Sequence, residues 1–167
     1  MMPPKLILAP IDFSDASRAA LDVAADMASR FGAELLLVYV VPAIPDLPKD
    51  VSIFKEGEYD KSLENKDAQR LKDLAGTVAN KNVKVRTELG SGDDVGMELV
   101  RIAKNEQADL IVIATHGMTG WREFAFGTVA EKVLKQGECP VLLLRAKAAG
   151  NTNENNKAAS ALGSSAS

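Results

Sequence analysis

The sequence predicts an α/β fold built on a doubly wound parallel sheet with helices on both faces. Apolar runs of strand length alternate with stretches of helical periodicity, which is the order expected of βαβ units. Three of the runs, at residues 35–38, 110–113 and 141–144, are apolar without alternation, as in strands covered on both sides. A chain of 167 residues is long enough for one domain with a single core.

Five strands and a first helix follow from these patterns. The strands are predicted over residues 5–11, 34–41, 83–89, 109–114 and 140–145. The first helix is expected to begin at the capping residue Ser14 and to end at Gly32. Its predicted buried face consists of Ala16, Ala19, Ala20, Val23, Met27 and Phe31.

Three further helices each show one apolar stripe. The second, over residues 61–80, carries a stripe of Leu63, Leu71, Leu74, Ala75 and Val78. The third, over residues 94–106, is expected to bury Val95, Leu99, Ile102 and Ala103. The fourth, over residues 129–136, ends before Gly137 and is expected to bury Val129, Val133 and Leu134.

Two segments fall outside this plan. Residues 42–60 contain three prolines and little periodicity, so they are predicted to form a long connection, and such connections are often lids or binding elements. Residues 147–167 are rich in Ala, Asn, Ser and Gly, and therefore bury too little apolar area to offset chain entropy. We expect one domain over residues 1–146 and a disordered tail over residues 147–167.

The composition argues against several classes of partner. Twenty basic residues against 23 acidic ones give a formal charge of -3, and no basic cluster is interleaved with aromatics, so no nucleic-acid partner is expected. The first residues lack a charged signal region and Asp12 interrupts the apolar run behind them, so neither a signal peptide nor a membrane span is predicted. Cys139 is the only cysteine, which favours a packed, unreactive thiol in a reducing compartment.

Two turns that contain glycine predict an anion site. The apolar run at 110–113 ends in Ala114-Thr115-His116-Gly117, and nine residues later Gly127-Thr128 opens a new helix. A strand end beside a helix start brings backbone N–H groups to one point, where a phosphate is stabilised.

Several of these residues also have an ordinary structural role. Asp12 ends the first strand, where it either accepts a hydrogen bond from a ribose hydroxyl or a base amino group, lies near a magnesium ion, or caps the first helix. Thr128 and Glu131 fit a capping box, which can coexist with anion binding. His116 is the only histidine, so bracing of the loop is favoured over catalysis.

Four stretches of the chain resemble the universal stress protein family. They read LILAPIDFS at residues 6–14, ADLIVIATHG at 108–117, GTVAEKV at 127–133 and CPVLL at 139–143, in family order. The resemblance implies a five-stranded sheet in the order 3-2-1-4-5, Rossmann-like and similar to the adenine nucleotide alpha hydrolases. It also implies cytoplasmic residence, a homodimer formed through the last strand, from Pro140 to Arg145, and bound ATP in one branch of the family.

The resemblance also assigns a cofactor-binding set. Adenine and ribose are placed near Pro10, Ile11, Asp12 and Val40. The phosphates of ATP, or of ADP or AMP, are placed near Ala114, Thr115, His116, Gly117, Gly127, Thr128 and Val129, with Mg²⁺ or Mn²⁺ held through them. Ile113 also belongs to the set. In the ATP-binding branch that this chain resembles, the phosphate pattern is Gly-x-x-Gly-x9-Gly-(Ser/Thr). Its first glycine is Ala114 here and Met118 replaces a residue that is basic in many relatives, so weaker binding is expected.

Three functions are compatible with these residues. The first is an ATP-binding stress-response and signalling module, and the second is a nucleotide-independent interaction protein of the same family, which Ala114 and Met118 favour. The third is an enzyme, but the sequence offers no paired carboxylates, P-loop lysine or nucleophile elbow. At most slow ATP hydrolysis is therefore expected, with no catalytic residue and no metal ligand from the protein.

Overall fold

The computed structural model describes residues 2–42, 58–79, 82–115 and 127–145. These contain, in chain order, β1 (Leu6–Pro10), α1 (Asp15–Phe31), β2 (Glu34–Pro42), α2 (Glu58–Ala79), β3 (Val85–Gly92), α3 (Val95–Asn105), β4 (Leu110–Ala114), α4 (Thr128–Gln136) and β5 (Val141–Leu144). Most of the predicted connection, at 43–57, and the predicted tail lie outside the described residues. No helix in the described part of the chain is both long and apolar enough to cross a membrane.

The five strands form one parallel sheet in the order β3-β2-β1-β4-β5, which confirms the predicted topology. β1 is central, with Leu8 in register with Leu36 of β2 on one side and with Ile111 of β4 on the other. The chain winds outward from β1 to β3 and then returns to the other side of β1. This reversal opens a crevice at the carboxyl ends of β1 and β4.

Helices cover both faces of the sheet, as predicted. Successive side chains of a strand point to opposite faces, so the strands divide their apolar residues between two cores. Ile7, Leu35 and Leu37 pack in the core that includes α1 and α2, whereas Leu8 and Leu36 pack in the core that includes α3 and α4. The uninterrupted apolar runs are therefore required by the two-sided burial of the sheet.

Both ends of α1 have the predicted caps. The Ser14 hydroxyl accepts a hydrogen bond from the Ser17 N–H at 3.1 Å, which supplies a partner to one of the first-turn amides. At the other end Gly32 has φ 66° and its N–H donates to the Ala28 carbonyl. This left-handed conformation is one that glycine adopts at little cost.

The buried face of α1 is not the predicted one. The buried residues are Ser17, Ala20, Leu21, Ala24, Ala25 and Ala28. Ala19 is exposed, and Phe31 remains 47% exposed. The stripe is displaced by one residue from the prediction, which on a helix is a rotation of about 100°.

The other helices follow the predicted pattern with local differences. α2 begins at Glu58, so its first turn takes in the end of the predicted connection. Leu71 and Val78 of its stripe are buried, while the side chain of Leu63 lies outside the described set. In α3, Leu99, Ile102 and Ala103 are buried as predicted, whereas Val95 is half-buried.

The predicted stripe of α4 is only partly correct. Val133 is fully buried, but Leu134 is 41% exposed. Val129 is half-buried, and Ala130 is the other buried residue of α4. The small side chain of Ala130 allows α4 to lie close to the end of the sheet.

The edge strand β3 carries a carboxylate whose charge costs stability. Burial raises the pKa of Glu88, the nearby charges of Glu106 and Glu98 raise it further, and Arg101 and Arg86 oppose the increase. A carboxyl group with a raised native pKa binds its proton more tightly in the folded state. The ionised form of Glu88 therefore lowers stability above that pKa, and the cost disappears once the group is protonated.

Replacing Glu88 by glutamine should therefore stabilise the protein at neutral pH. We expect Glu88→Gln to raise the free energy of unfolding at pH 7 by less than about 1 kcal/mol, because Glu88 is half-buried and solvent weakens the effect of its charge. The gain should vanish below about pH 4, where the unfolded carboxyl is protonated as well. Urea denaturation at both pH values measures it, and a gain that is independent of pH would contradict this explanation.

Candidate functional site

A cavity of about 280 Å³ lies at the crevice formed by the carboxyl ends of β1 and β4. Most residues of the predicted cofactor-binding set line it, namely Pro10, Ile11, Asp12, Ile113, Ala114, Thr115, Gly127, Thr128 and Val129. Val40 is buried in β2 and does not line the cavity. His116 and Gly117 lie outside the described residues.

Five lining residues were not predicted, and they are Ser17, Val38, Val95, Leu99 and Ala130. Val38 stands two residues before Val40 and therefore points to the same face of β2, so the strand period alone can indicate it. Val95 and Leu99 come from α3, and only tertiary packing brings them to the strand ends. Together with Val38 they form an apolar part of the wall.

Asp12 is held by the turn that follows β1. Its Oδ1 accepts a hydrogen bond from the Ser14 N–H at 3.0 Å and another from the Ser14 hydroxyl at 2.5 Å. The backbone N–H of Asp12 donates to the Ser17 hydroxyl at 3.4 Å. The predicted local contact of Asp12 with the Ser14 amide is thus confirmed, while Ser14 itself caps the helix. Because a carboxylate has about four acceptor positions, this interaction is compatible with a contact to a ligand in the cavity.

Gly127 joins the start of α4 to the end of β4. Its N–H donates to the Thr115 carbonyl at 2.7 Å, and the Thr115 N–H donates to the Leu144 carbonyl of β5 at 2.8 Å. A Cβ on Gly127 would lie 3.0 Å from the Thr115 oxygen, a distance that is tight for a carbon atom. The glycine therefore favours this close approach, because a Cβ would crowd the Thr115 carbonyl. Its backbone φ of −57° is one that any residue can adopt.

The first turn of α4 lines the cavity. The predicted capping box is wrong, because Gly127 is the N-cap, no side chain of the described residues caps the helix, and Glu131 pairs with Lys135 at 2.6 Å. The first helical hydrogen bond of α4 is donated by the Glu131 N–H to the Gly127 carbonyl, at 2.9 Å. The amides of Thr128, Val129 and Ala130 have no helical carbonyl ahead of them. The helix dipole adds partial positive charge at this end.

Tyr39 lies on β2 close to the turn that carries Asp12. Burial raises the pKa of the Tyr39 hydroxyl, the charges of Asp67 and Asp12 raise it further, and Arg70 lowers it. The hydroxyl therefore stays protonated at neutral pH, and Tyr39 does not line the cavity. Proton abstraction by this group at the crevice is not supported.

The described part of the chain contains no group of three or more His, Cys, Asp or Glu side chains that could hold a metal ion. Asp12 is the one carboxylate in the described lining of the cavity.

The position of the cavity defines a class of protein. Doubly wound α/β proteins bind small ligands where the strand order reverses, and the crevice of this chain lies at that point, beside a helix start that suits an anion. The sequence model of the Universal stress protein family matches residues 4–145. The chain therefore belongs to the universal stress protein family.

Similar proteins extend over most of the chain. Universal stress protein MJ0531 of Methanocaldococcus jannaschii is 35% identical over 144 residues, which are 84% of this chain and 82% of the relative. The solved structure of protein MJ0577, also from Methanocaldococcus jannaschii, superposes with a TM-score of 0.73 at 26% identity and covers 88% of this chain and 99% of that one. Universal stress protein UspA of Lactobacillus plantarum superposes with a TM-score of 0.69 at 28% identity, over 84% and 97% of the two chains.

Proposed function

We propose that this universal stress protein binds an adenine nucleotide, ATP with ADP or AMP as alternatives, in the crevice between β1 and β4. The observation that carries the proposal is the presence of an acceptor and several donors around one cavity. The Asp12 carboxylate follows the end of β1. The first turn of α4, with its amides, belongs to the same lining. A nucleotide offers hydroxyl or amino donors to the carboxylate and phosphate oxygens to the amides.

The apolar part of the lining suits the base. Val38, Val95 and Leu99 present aliphatic surface to the cavity, and ligand pockets combine such surface with a few polar groups. The volume of about 280 Å³ is just below the usual range of roughly 300–1,000 Å³. It suits a base and a sugar better than a complete triphosphate.

Backbone amides would carry most of the phosphate binding. None of the described lining residues is basic, so no lysine clamp is available from this part of the chain. The amides of Thr128, Val129 and Ala130 and the dipole of α4 are the available donors. We infer that Mg²⁺ or Mn²⁺ is held through the phosphates.

Ala114 departs from the family pattern without closing the crevice. Its side chain packs against the core on the α1 side of the sheet, whereas the neighbouring Ile113 belongs to the core on the other side. The extra methyl group relative to glycine is therefore accommodated by packing. This supports retained nucleotide binding, while Met118 lies outside the described residues.

Two more distant structures have nucleotides bound to the same fold. The universal stress protein of Archaeoglobus fulgidus is in complex with dAMP, and a further universal stress protein is in complex with cAMP. Their identities to this chain are 19% and 18%, so they indicate only that this fold can accommodate an adenine nucleotide.

Calorimetric titration with Mg-ATP tests the proposal. Denaturing extraction first establishes that no nucleotide was carried through purification. We then expect binding at about one site per chain with a micromolar dissociation constant, which corresponds to a binding free energy of about 8 kcal/mol. GTP serves as the control titrant. No heat and no carried nucleotide would contradict the proposal and favour a nucleotide-independent interaction protein.

We further propose that the protein acts as a cytoplasmic homodimer whose nucleotide occupancy serves stress signalling. β5 lies at one edge of the sheet, and its four residues are half-buried and apolar. An unpaired edge strand of this kind invites pairing with a second copy across a twofold axis. Since Thr115 lines the cavity and bonds to Leu144, the crevice and this edge are directly connected.

The dimer is tested by sedimentation equilibrium. We expect a dimer at micromolar concentration, both with and without Mg-ATP, because edge pairing depends on backbone hydrogen bonds of β5. A sample that remains monomeric at that concentration would exclude the dimer without affecting the nucleotide proposal.

A further inference from the structure

The turn that carries Asp12 contains a residue in an unfavourable backbone conformation. Phe13 has φ 63°, in the left-handed region that side chains with a Cβ rarely occupy. Phe13 lies between Asp12 and Ser14, whose N–H and hydroxyl both donate to the Asp12 carboxylate. A change in the Phe13 backbone would therefore displace the carboxylate. Such conformations persist only where surrounding contacts fix them.

Two side chains from other elements hold the Phe13 ring. Tyr39 of β2 lies with its ring centroid 5.0 Å from that of Phe13, at an interplanar angle of 56°. Arg70 of α2 places its guanidinium carbon 3.9 Å from the centroid of the Phe13 ring. The first contact is a favourable tilted aromatic pair, and the second is a cation–π interaction well within the usual distance limit.

The three residues link α2 to the cavity rim. Phe13 and Tyr39 are half-buried, whereas Arg70 is exposed on the helix surface. An exposed arginine can be replaced without leaving a cavity in the core. Its contact with Phe13 therefore stabilises the conformation of the turn more than it stabilises the whole domain.

We propose that Arg70 is a positioning residue, which fixes the Asp12 carboxylate at the cavity through its contact with Phe13. Together with Tyr39 it holds the left-handed turn in the conformation that directs Asp12 to a ligand. The effect on ligand binding rests on the proposed nucleotide function. The effect on the turn itself does not, and it can be measured in the free protein.

The first test is amide hydrogen exchange by NMR without nucleotide. The Ser14 N–H, which donates to Asp12, reports the opening of the turn. In Arg70→Ala we expect it to exchange about two- to fivefold faster, the factor that corresponds to one cation–π contact at an exposed site. Lys72→Ala is the matched control, since it removes an exposed positive charge two residues along the same helix and should leave Ser14 unchanged.

The second test is a double-mutant cycle on the affinity for Mg-ATP. Arg70→Ala should raise the dissociation constant about two- to fivefold in the wild-type background. In an Asp12→Ala background the same substitution should have no further effect, because the residue through which it acts is gone. A loss of equal size in both backgrounds would overturn the positioning role, since it would mean that Arg70 acts independently of Asp12.

The outcomes separate this proposal from the function on which it rests. Unchanged Ser14 exchange in Arg70→Ala, or equal acceleration in Lys72→Ala, would overturn the positioning role even if the wild type binds Mg-ATP. A wild type without affinity for nucleotide would contradict the proposed function. Faster exchange of the Ser14 N–H in Arg70→Ala alone would then still support the proposal that Arg70 fixes the position of the Asp12 carboxylate.

Discussion

Gly127→Val should abolish most of the affinity for Mg-ATP. The added Cβ would lie 3.0 Å from the Thr115 carbonyl oxygen, which is tight for a carbon atom, so we expect the start of α4 to shift away from β4. This shift displaces the amides of Thr128, Val129 and Ala130 together. Since a hydrogen bond to a charged group contributes about 1.5–3 kcal/mol, loss of one such bond alone should raise the dissociation constant more than about tenfold. Isothermal titration calorimetry measures the change.

A second glycine provides the matched control. Gly76 lies in α2 and a Cβ built on it meets nothing within 4 Å, so Gly76→Val introduces the same side chain without a collision. It should bind Mg-ATP with wild-type affinity. Unchanged affinity in Gly127→Val, with folding verified by thermal denaturation, would show that the nucleotide does not use this helix start.

The sheet could be predicted in detail because its strands are buried on both faces. Runs such as Leu35 to Val38 need apolar residues at every position, and few other structures impose that pattern. The order of the strands came from the family resemblance, since nothing in a single apolar run specifies its neighbour. β3 extends to Gly92 because it pairs with β2 as far as Pro42, a contact that the sequence of β3 alone does not reveal.

The site was predictable where it is local in the sequence. Asp12 and Ser14 are two residues apart, so their mutual hydrogen bonds follow from the chemistry of Asp before a helix. The strand end at Ala114 and the helix start at Gly127 are likewise visible as a sequence pattern. Val95 and Leu99 were missed because they reach the cavity through the packing of α3 on the sheet.

The face of α1 was misassigned because alanine occurs all around this helix. Small apolar residues at positions 16, 19, 20, 24, 25 and 28 fit more than one stripe, and the larger Met27 and Phe31 favoured the wrong one. Close packing on the sheet instead selects the face with alanines and Leu21, which is only 2% exposed. The Ser17 hydroxyl can be buried on the same face because it donates a hydrogen bond to the Ser14 carbonyl at 3.0 Å.

Two substitutions in α1 distinguish these faces by stability. Leu21→Ala should lower the free energy of unfolding by about 2–5 kcal/mol, as expected when a fully buried leucine leaves a cavity. Phe31→Ala removes a larger side chain, yet Phe31 is 47% exposed at the last turn. It should therefore cost about 1 kcal/mol or less. Urea denaturation of both variants measures the contrast, with similar denaturant dependence confirming that both unfold from the same native state. A greater loss of stability in Phe31→Ala would mean that the originally predicted stripe of α1 packs against the sheet. Ser14 and Asp12 stand at the start of α1, so their turn at the crevice would then be rotated together with the helix.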